Sequence, residues 1–205
     1  MGNIVGSLSY ITPRQEEILI GTLLGDGRLE CRSKTGSARL RIHHGEKQKE
    51  FVFWKYLEFK NFVLSKPRRI KSGKVNTNNL YSWYFHTKTF SDFGIMHNKF
   101  YFEGKKVLPF NLQNLLTPLS LAVWYMDDGC LSRDSIILNT QNFSYVENMR
   151  IVEVLYNCFK ISSGIHKDRD EYRIGIRKDS MDRFLSIVEP NVINSLKYKI
   201  KPRND

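Results

Sequence analysis

Two aspartates stand at matching places in this chain, and their surroundings are what could do chemistry. The first closes Ile18-Leu19-Ile20-Gly21-Thr22-Leu23-Leu24-Gly25-Asp26-Gly27, and the second closes Leu121-Ala122-Val123-Trp124-Tyr125-Met126-Asp127-Asp128-Gly129. An apolar run that ends in Asp-Gly is unremarkable once, because Asp-Gly is a common turn dipeptide. Twice, in matching contexts, it suggests that two carboxylates are delivered to one place. A carboxylate near the end of a helix adds to the negative charge of the helix dipole and its free carbonyls. Something cationic has to offset that, and a cluster of carboxylate and carbonyl oxygens suits Mg²⁺.

The elements that would position the acids carry their own signals. Thr12-Pro13 precedes the first run and Thr117-Pro118 the second. Thr is a good N-cap and Pro is tolerated at the first helical position, and Thr12 with Gln15 fits a capping box. Gly27 and Gly129 stand where a helix is commonly stopped by a residue of positive φ. The spacing predicts two helices with Asp26 and Asp128 in their last turns. Gly21 and Gly25, four apart, would let a partner backbone approach one face closely.

The remainder of the chain is basic. Thirty-two Lys and Arg against 21 Asp and Glu give +11 over 205 residues, with a pI near 9.6. Such a surface on an ordinary globular composition points first to nucleic acid. No apolar run reaches the length of a membrane span, so no membrane partner is expected. The N-terminal residues lack the basic-then-apolar pattern of a secretory signal. Cys31, Cys130 and Cys158 are odd in number and widely spaced, which suits a reducing compartment and neither a disulfide framework nor a zinc site.

Between the two motif helices the pattern predicts a hairpin over 28–44, turning at 34–37, then a helix over 46–65 with Phe51, Trp54, Tyr56, Leu57 and Val63 among its apolar positions. Leu40 and Ile42 point one way from the second strand, and Arg39, Arg41 and His43 the other. With Arg32 and Lys34 at its turn, that hairpin offers a basic face, and the major groove admits β-ribbons. Adjacent His43-His44 reads as sheet surface. Five of the nine residues from Lys66 to Lys74 are basic, Arg68, Lys71 and Lys74 among them, and they open a second hairpin with Tyr81, Trp83 and Phe85 inward. A short helix over 89–99 closes this half, and 100–116 reads as a linker.

The second half repeats the order. Its hairpin strand 135–141 buries Ile136 and Leu138 and presents Asn139 and Gln141, residue types that can pair bidentately with adenine. A helix over 145–160 follows, then a hairpin turning at 168–170 with Tyr172, Ile174 and Ile176 inward. Lys167, Arg169, Arg173 and Arg177 form its basic side, and Asp179 is placed to cap a last helix over 180–188. The fold class is therefore α+β: two pseudo-symmetric αββαββα halves, 1–99 and 117–205, whose antiparallel sheets form one DNA-binding saddle around two packed motif helices.

The two Asp-Gly runs resemble the paired motifs of the LAGLIDADG homing endonucleases in their two-motif, single-chain form. The second copy, with Leu116-Thr117-Pro118 before it and 135–141 after it, closely resembles the intron-encoded branch. Thr22 and Leu24 depart from the motif, and Asp127 fills a position usually held by a small residue. The resemblance implies a site-specific double-strand DNA endonuclease that hydrolyses phosphodiesters at a long asymmetric target, for intron mobility. It implies two or more Mg²⁺ ions, replaceable by Mn²⁺, at Asp26 and Asp128 with Gly25 and Asp127 beside them. Divalent ions between carboxylates can supply activated water, a stabilised leaving oxygen and charge neutralisation, so no histidine base is required. By the same resemblance Lys106 and Lys199 are the catalytic lysines. It further implies an organelle matrix, mitochondrion or chloroplast. The alternative within the family is an RNA-binding maturase that assists intron RNA without cutting DNA.

Because both motifs lie in one chain and the halves present different side chains, a monomer on a target without two-fold symmetry is expected. Sedimentation of the protein–DNA complex should give one 24.1 kDa chain per duplex; two chains on a palindrome would show that the motif helices pair between subunits.

Overall fold

The computed structural model describes residues 10–31, 36–75, 78–132 and 135–201; the predicted DNA contacts Arg32 and Lys34 lie outside them. The two motif helices are α1, Pro13–Leu24, and α5, Pro118–Asp128. Both begin as their sequences predict. Thr12 Oγ1 accepts from the Gln15 amide while Gln15 Oε1 accepts from the Thr12 amide, and Thr117 makes the same reciprocal pair with Ser120. Thr117 also donates its hydroxyl to Glu17 Oε2 at 2.6 Å, which ties the start of α5 to α1.

The helix stops differ from expectation. Gly25 caps α1, so Asp26 lies just beyond the helix rather than in its last turn. Gly129 caps α5 in an extended conformation, with φ −85° and ψ 152°. Neither Gly27 nor Gly129 is among the positive-φ residues. Their smallness is used for space: a Cβ at Gly129 would sit 1.9 Å from the Tyr125 ring, and one at Gly27 2.2 Å from Thr22 Cγ2.

In the first half, β1 (Arg28–Cys31), β2 (Ala38–Gly45), β3 (Arg68–Val75) and β4 (Asn78–His86) form an antiparallel sheet of order β1-β2-β4-β3. In the second, β7 (Gly129–Ser132), β8 (Ser135–Leu138), β9 (Ser163–Asp168) and β10 (Glu171–Ile176) take the same order, β7-β8-β10-β9. The inner faces are the alternating apolar positions, Leu40 and Ile42 on β2, Ile136 and Leu138 on β8, and Ile174 and Ile176 on β10, all buried. Phe85 is buried as predicted, whereas Trp83, Tyr81 and Tyr172 are only partly covered.

The predicted helix over 46–65 is shorter. A 3₁₀ turn leads into α2, Lys49–Glu58, and a second turn follows at Lys60–Phe62. Its buried side is Phe51, Val52 and Lys55, with Leu57 exposed. The other helices behind the sheets are α3 (Ser91–Phe100), α6 (Tyr145–Phe159) and α7 (Met181–Val188). Asp179 does not cap α7; its carboxylate accepts from the Ser180 hydroxyl. The stretch read as a linker holds a two-stranded ribbon, β5 (Tyr101–Phe102) with β6 (Lys105–Lys106), and the short α4 (Leu112–Leu115). The ribbon turns at Glu103 and Gly104, both at positive φ.

The packing of α1 on α5 sets the centre of the molecule. A Cβ on Gly21 would lie 2.3 Å from the Ser120 carbonyl oxygen, and one on Gly25 2.5 Å from Asp127 Cβ. Around that seam Leu19, Leu23, Ala122, Val123 and Trp124 are wholly buried. Because the obstacle at Gly21 is backbone, Gly21→Ala should force the helices apart and cost about 1–3 kcal/mol. A lower urea midpoint at unchanged slope would show this; an unchanged midpoint would mean that the seam is looser than described.

Candidate active site

The close approach of α1 and α5 brings their C-terminal ends together, and with them Asp26 and Asp128. Asp26 projects from the turn after α1 with its side chain half exposed, and Asp128 is the last residue of α5 and partly covered. Burial, then the charges of Asp26 and Asp127, push the Asp128 carboxyl up to about 8.

Two lysines from outside the motif helices reach the helix ends. Lys106, on β6, donates to the carbonyls of Gly25 at 2.8 Å and Gly27 at 2.9 Å. Lys199, in the 3₁₀ turn Asn194–Lys199, donates to the carbonyls of Met126 at 2.6 Å and Asp127 at 3.2 Å. Each lysine thus satisfies carbonyls that a helix end leaves without partners, where a cation is favoured by the dipole. Burial lowers the pKa of both ammonium groups, and the nearby aspartates oppose that shift. The chain fixes each lysine in place: Tyr101 accepts the Leu29 amide beside the β5–β6 ribbon, and the Tyr125 hydroxyl donates to the Lys199 carbonyl.

Asp127 is placed differently from the acids on either side. Its side chain is buried, and both carboxylate oxygens lie 2.8 Å from Lys55 Nζ. Burial alone would raise its pKa, but the Lys55 charge and then His44 outweigh that and hold the carboxyl below the ordinary range. Burial pulls Lys55 down, against the attraction of Asp127. Removing one partner of such a buried pair generally costs about 3–5 kcal/mol, because it strands the other charge.

His44 is not on the sheet surface, as its sequence context suggested. It is buried on β2 with Nδ1 3.6 Å from Asp26 Oδ2 and Nε2 3.2 Å from Asp127 Oδ1. Asp26, His44 and Asp127 present ligand-type atoms within 4.8 Å of one another. Neither His44 nor Lys55 was among the sequence candidates, although signals for both existed. His44 continues the inward alternation of Leu40 and Ile42, and Lys55 stands one turn from Phe51 on the apolar side of α2.

The expected DNA-contacting side chains divide into two groups. Arg68, Lys71, Lys74, Lys167, Arg169 and Arg177 are exposed on the sheets and their turns. Others have partners within the chain. Arg39 meets Glu30 at 2.7 Å, and Arg28 and Arg41 approach the same carboxylate at 2.6 and 3.4 Å. Burial would raise the Glu30 carboxyl, yet its bonds to Arg28 and Arg39 bring it down to about 2. The first hairpin's outer face is therefore mixed in charge rather than wholly basic. His43 Nε2 is 2.7 Å from the Ser82 hydroxyl. Asn139 donates to the Asp128 carbonyl at 2.8 Å and Gln141 to Asp168 at 3.0 Å, while Arg173 lies 4.0 Å from Asp168. Beside Asp26 a cleft of about 310 Å³ is lined by Arg28, Arg41, His43, His44, Gly45 and Gln48, and the second sheet holds a groove of about 730 Å³ over Ile137, His166, Lys167 and Arg173.

Two carboxylates at adjoining helix ends, one of them raised first by burial and then by the charges of its acidic neighbours, are a place that a cation would stabilise. Its donors are hard oxygens, so Asp26 and Asp128 fit Mg²⁺. Asp127, with both oxygens on Lys55, and the Gly25 carbonyl, taken by Lys106, are already engaged.

Residues 16–184 match the sequence model of the LAGLIDADG DNA endonuclease family. Cytochrome b mRNA maturase bI2 of Saccharomyces cerevisiae is 32% identical over 221 residues, covering 98% of this chain and 49% of that protein. The chain thus spans about half the length of that relative. DNA endonuclease I-ChuI of Chlamydomonas applanata is 26% identical, covering 95% of this chain and 97% of that one. Among solved structures, the homing endonuclease I-WcaI bound to its DNA recognition sequence superposes with a TM-score of 0.89 at 24% identity, over 99% of this chain and 96% of that one.

The raised Asp128 carboxyl has a thermodynamic consequence. The folded chain keeps that proton up to about pH 8, whereas the unfolded chain loses it near 3.8. Stability from this group is therefore full below the unfolded value and is lost as pH rises through about 8. With divalent ions chelated, the urea midpoint of the wild type should fall relative to Asp128→Asn between about pH 5 and pH 8. A constant difference would mean that Asp128 ionises normally.

Proposed function

Because the chain belongs to the LAGLIDADG DNA endonuclease family, we propose that it is a monomeric, Mg²⁺-dependent endonuclease that cuts both strands of a long, asymmetric DNA target in the service of intron mobility. The observation that carries this reading is the pair of acids, Asp26 and Asp128, at the adjoining ends of α1 and α5. A protein that only bound nucleic acid would have no use for two carboxylates kept together against their repulsion.

Asp26 and Asp128 would hold the metal, which supplies charge neutralisation at the phosphate and an activated water. Lys106 and Lys199 are catalytic candidates by position. Each sits at one helix end with its ammonium beside the acids, where it can orient a phosphate oxygen or the attacking water. Arg68, Lys71, Lys74, Lys167, Arg169 and Arg177 supply phosphate attraction along the duplex. We further assign residues 1–99 and 117–205 to two repeats that each read one half of the target, and place the protein in an organelle matrix.

A second reading rests on the relative named as a cytochrome b mRNA maturase: an RNA-binding splicing cofactor without cleavage. One experiment separates the two. Selection of cut sequences from a randomised duplex library in Mg²⁺, repeated in Ca²⁺, should yield one asymmetric consensus in Mg²⁺. No cleaved consensus would favour the maturase. On the selected site Asp26→Asn and Asp128→Asn should each abolish double-strand cleavage and retain specific binding, because the sheets bind and the acids cut. Cleavage by either variant at the wild-type rate would remove the proposed active site.

A further inference from the structure

The two half-sites are related by pseudo-symmetry at their acids and lysines, but not around Asp127. Its counterpart in the first motif is Gly25, whose missing Cβ leaves the room that Asp127 occupies. Asp127 therefore leans out of α5 into the first half, where Lys55 and His44 meet it. Among the described residues the second half has no such arrangement. Arg28 pairs with Arg41 across the first hairpin, and its counterpart Cys130 pairs with Ile137, so Thr140 corresponds to His44. Thr140 is buried and donates its hydroxyl to Asn148 Oδ1, an amide rather than a carboxylate.

We infer that His44 is a positioning residue for the Asp26 half-site alone, held between Asp26 and Asp127 and backed by Lys55, so that the two strands of a target are cut by unequal half-sites. The geometry is specific. His44 is 4% exposed, its ring lies 5.4 Å from that of Phe51, and Lys55 Nζ stands 4.2 Å from the same Phe51 ring. The imidazole cannot swing away without opening the core. Its Nδ1 side faces, at 3.6 Å, an acid whose own side chain is half exposed. A partner behind a ligating carboxylate fixes its orientation, and losing such a partner commonly weakens metal affinity or activity by about 10- to 100-fold. Asp128 is held by other means: it is partly covered, and its carbonyl is bonded by Asn139.

The inference rests on the nuclease reading for its strand preference, but not for its metal-binding part. The test compares His44→Asn, whose amide falls near the Nδ1 position facing Asp26, with His44→Gln, whose amide falls near Nε2 facing Asp127. Mn²⁺ affinity of the protein is measured by the electron paramagnetic resonance of free Mn²⁺. Cleavage of the selected duplex is followed with each strand labelled separately. His44→Gln should weaken Mn²⁺ binding about tenfold and slow one strand far more than the other, so that singly nicked duplex accumulates. His44→Asn should keep wild-type affinity and strand balance. Equal behaviour of the two variants, equal slowing of both strands, or no change in Mn²⁺ affinity would overturn the assignment. A wild type that binds Mn²⁺ yet cuts no duplex would sink the nuclease reading, and the affinity comparison would still decide the role of His44.

Discussion

Two helices that approach through Gly21 and Gly25 impose the constraint on which the rest of this structure depends. Both point their C-terminal ends the same way, so free carbonyls and the acids Asp26 and Asp128 converge where the dipoles are already negative. That convergence is unfavourable for a folded chain standing alone, and burial followed by the charges of Asp26 and Asp127 raises the Asp128 carboxyl. The chain offsets part of it with Lys106 and Lys199, each bonded to the carbonyls of one helix end. The residual demand for positive charge is what makes the place suited to a divalent ion. The sheets, of identical strand order, follow directly from the helices, since β1 begins at Arg28 and β7 at Gly129.

The same close approach explains an asymmetry. Where one motif has Gly25, the other has Asp127, and a buried carboxylate cannot remain without a partner. Lys55 supplies one across the helix seam, and His44 extends the contact to Asp26. A charge that would otherwise be a liability is thereby used to link α2, β2, α1 and α5. Pseudo-symmetric halves on one chain are free to diverge in this way, because no symmetry operator copies a change in one half onto the other.

Much of this was legible in the sequence. The two Thr-Pro starts, the Asp-Gly ends and the alternating strands are local signals, and the helices, the hairpins and both acids follow from them. Local signals could not tell which glycine role applied. Gly27 and Gly129 read as positive-φ stops, but each is small because a neighbouring side chain, Thr22 or Tyr125, fills the space. Nor could they reveal pairing between distant residues. The charge of Arg39 and Arg41 was plain, but their shared partner Glu30 depends on strand register. Lys55 and Asp127 are 72 positions apart and each looks anomalous on its own apolar helix face; together they satisfy one another. Adjacent His43-His44 reads as sheet surface, although the period of the strand turns His44 inward.

On the proposed mechanism Asp26 and Asp128 share the divalent ions while Asp127 is a buried anchor. The most direct measurement is anomalous diffraction from crystals of the protein bound to its selected duplex in Mn²⁺. Anomalous peaks are expected within ligand distance of the Asp26 and Asp128 carboxylates, with Lys55 still bonded to both oxygens of Asp127. A peak held by Asp127 and His44 with Lys55 displaced, or no peak at Asp128, would contradict that mechanism.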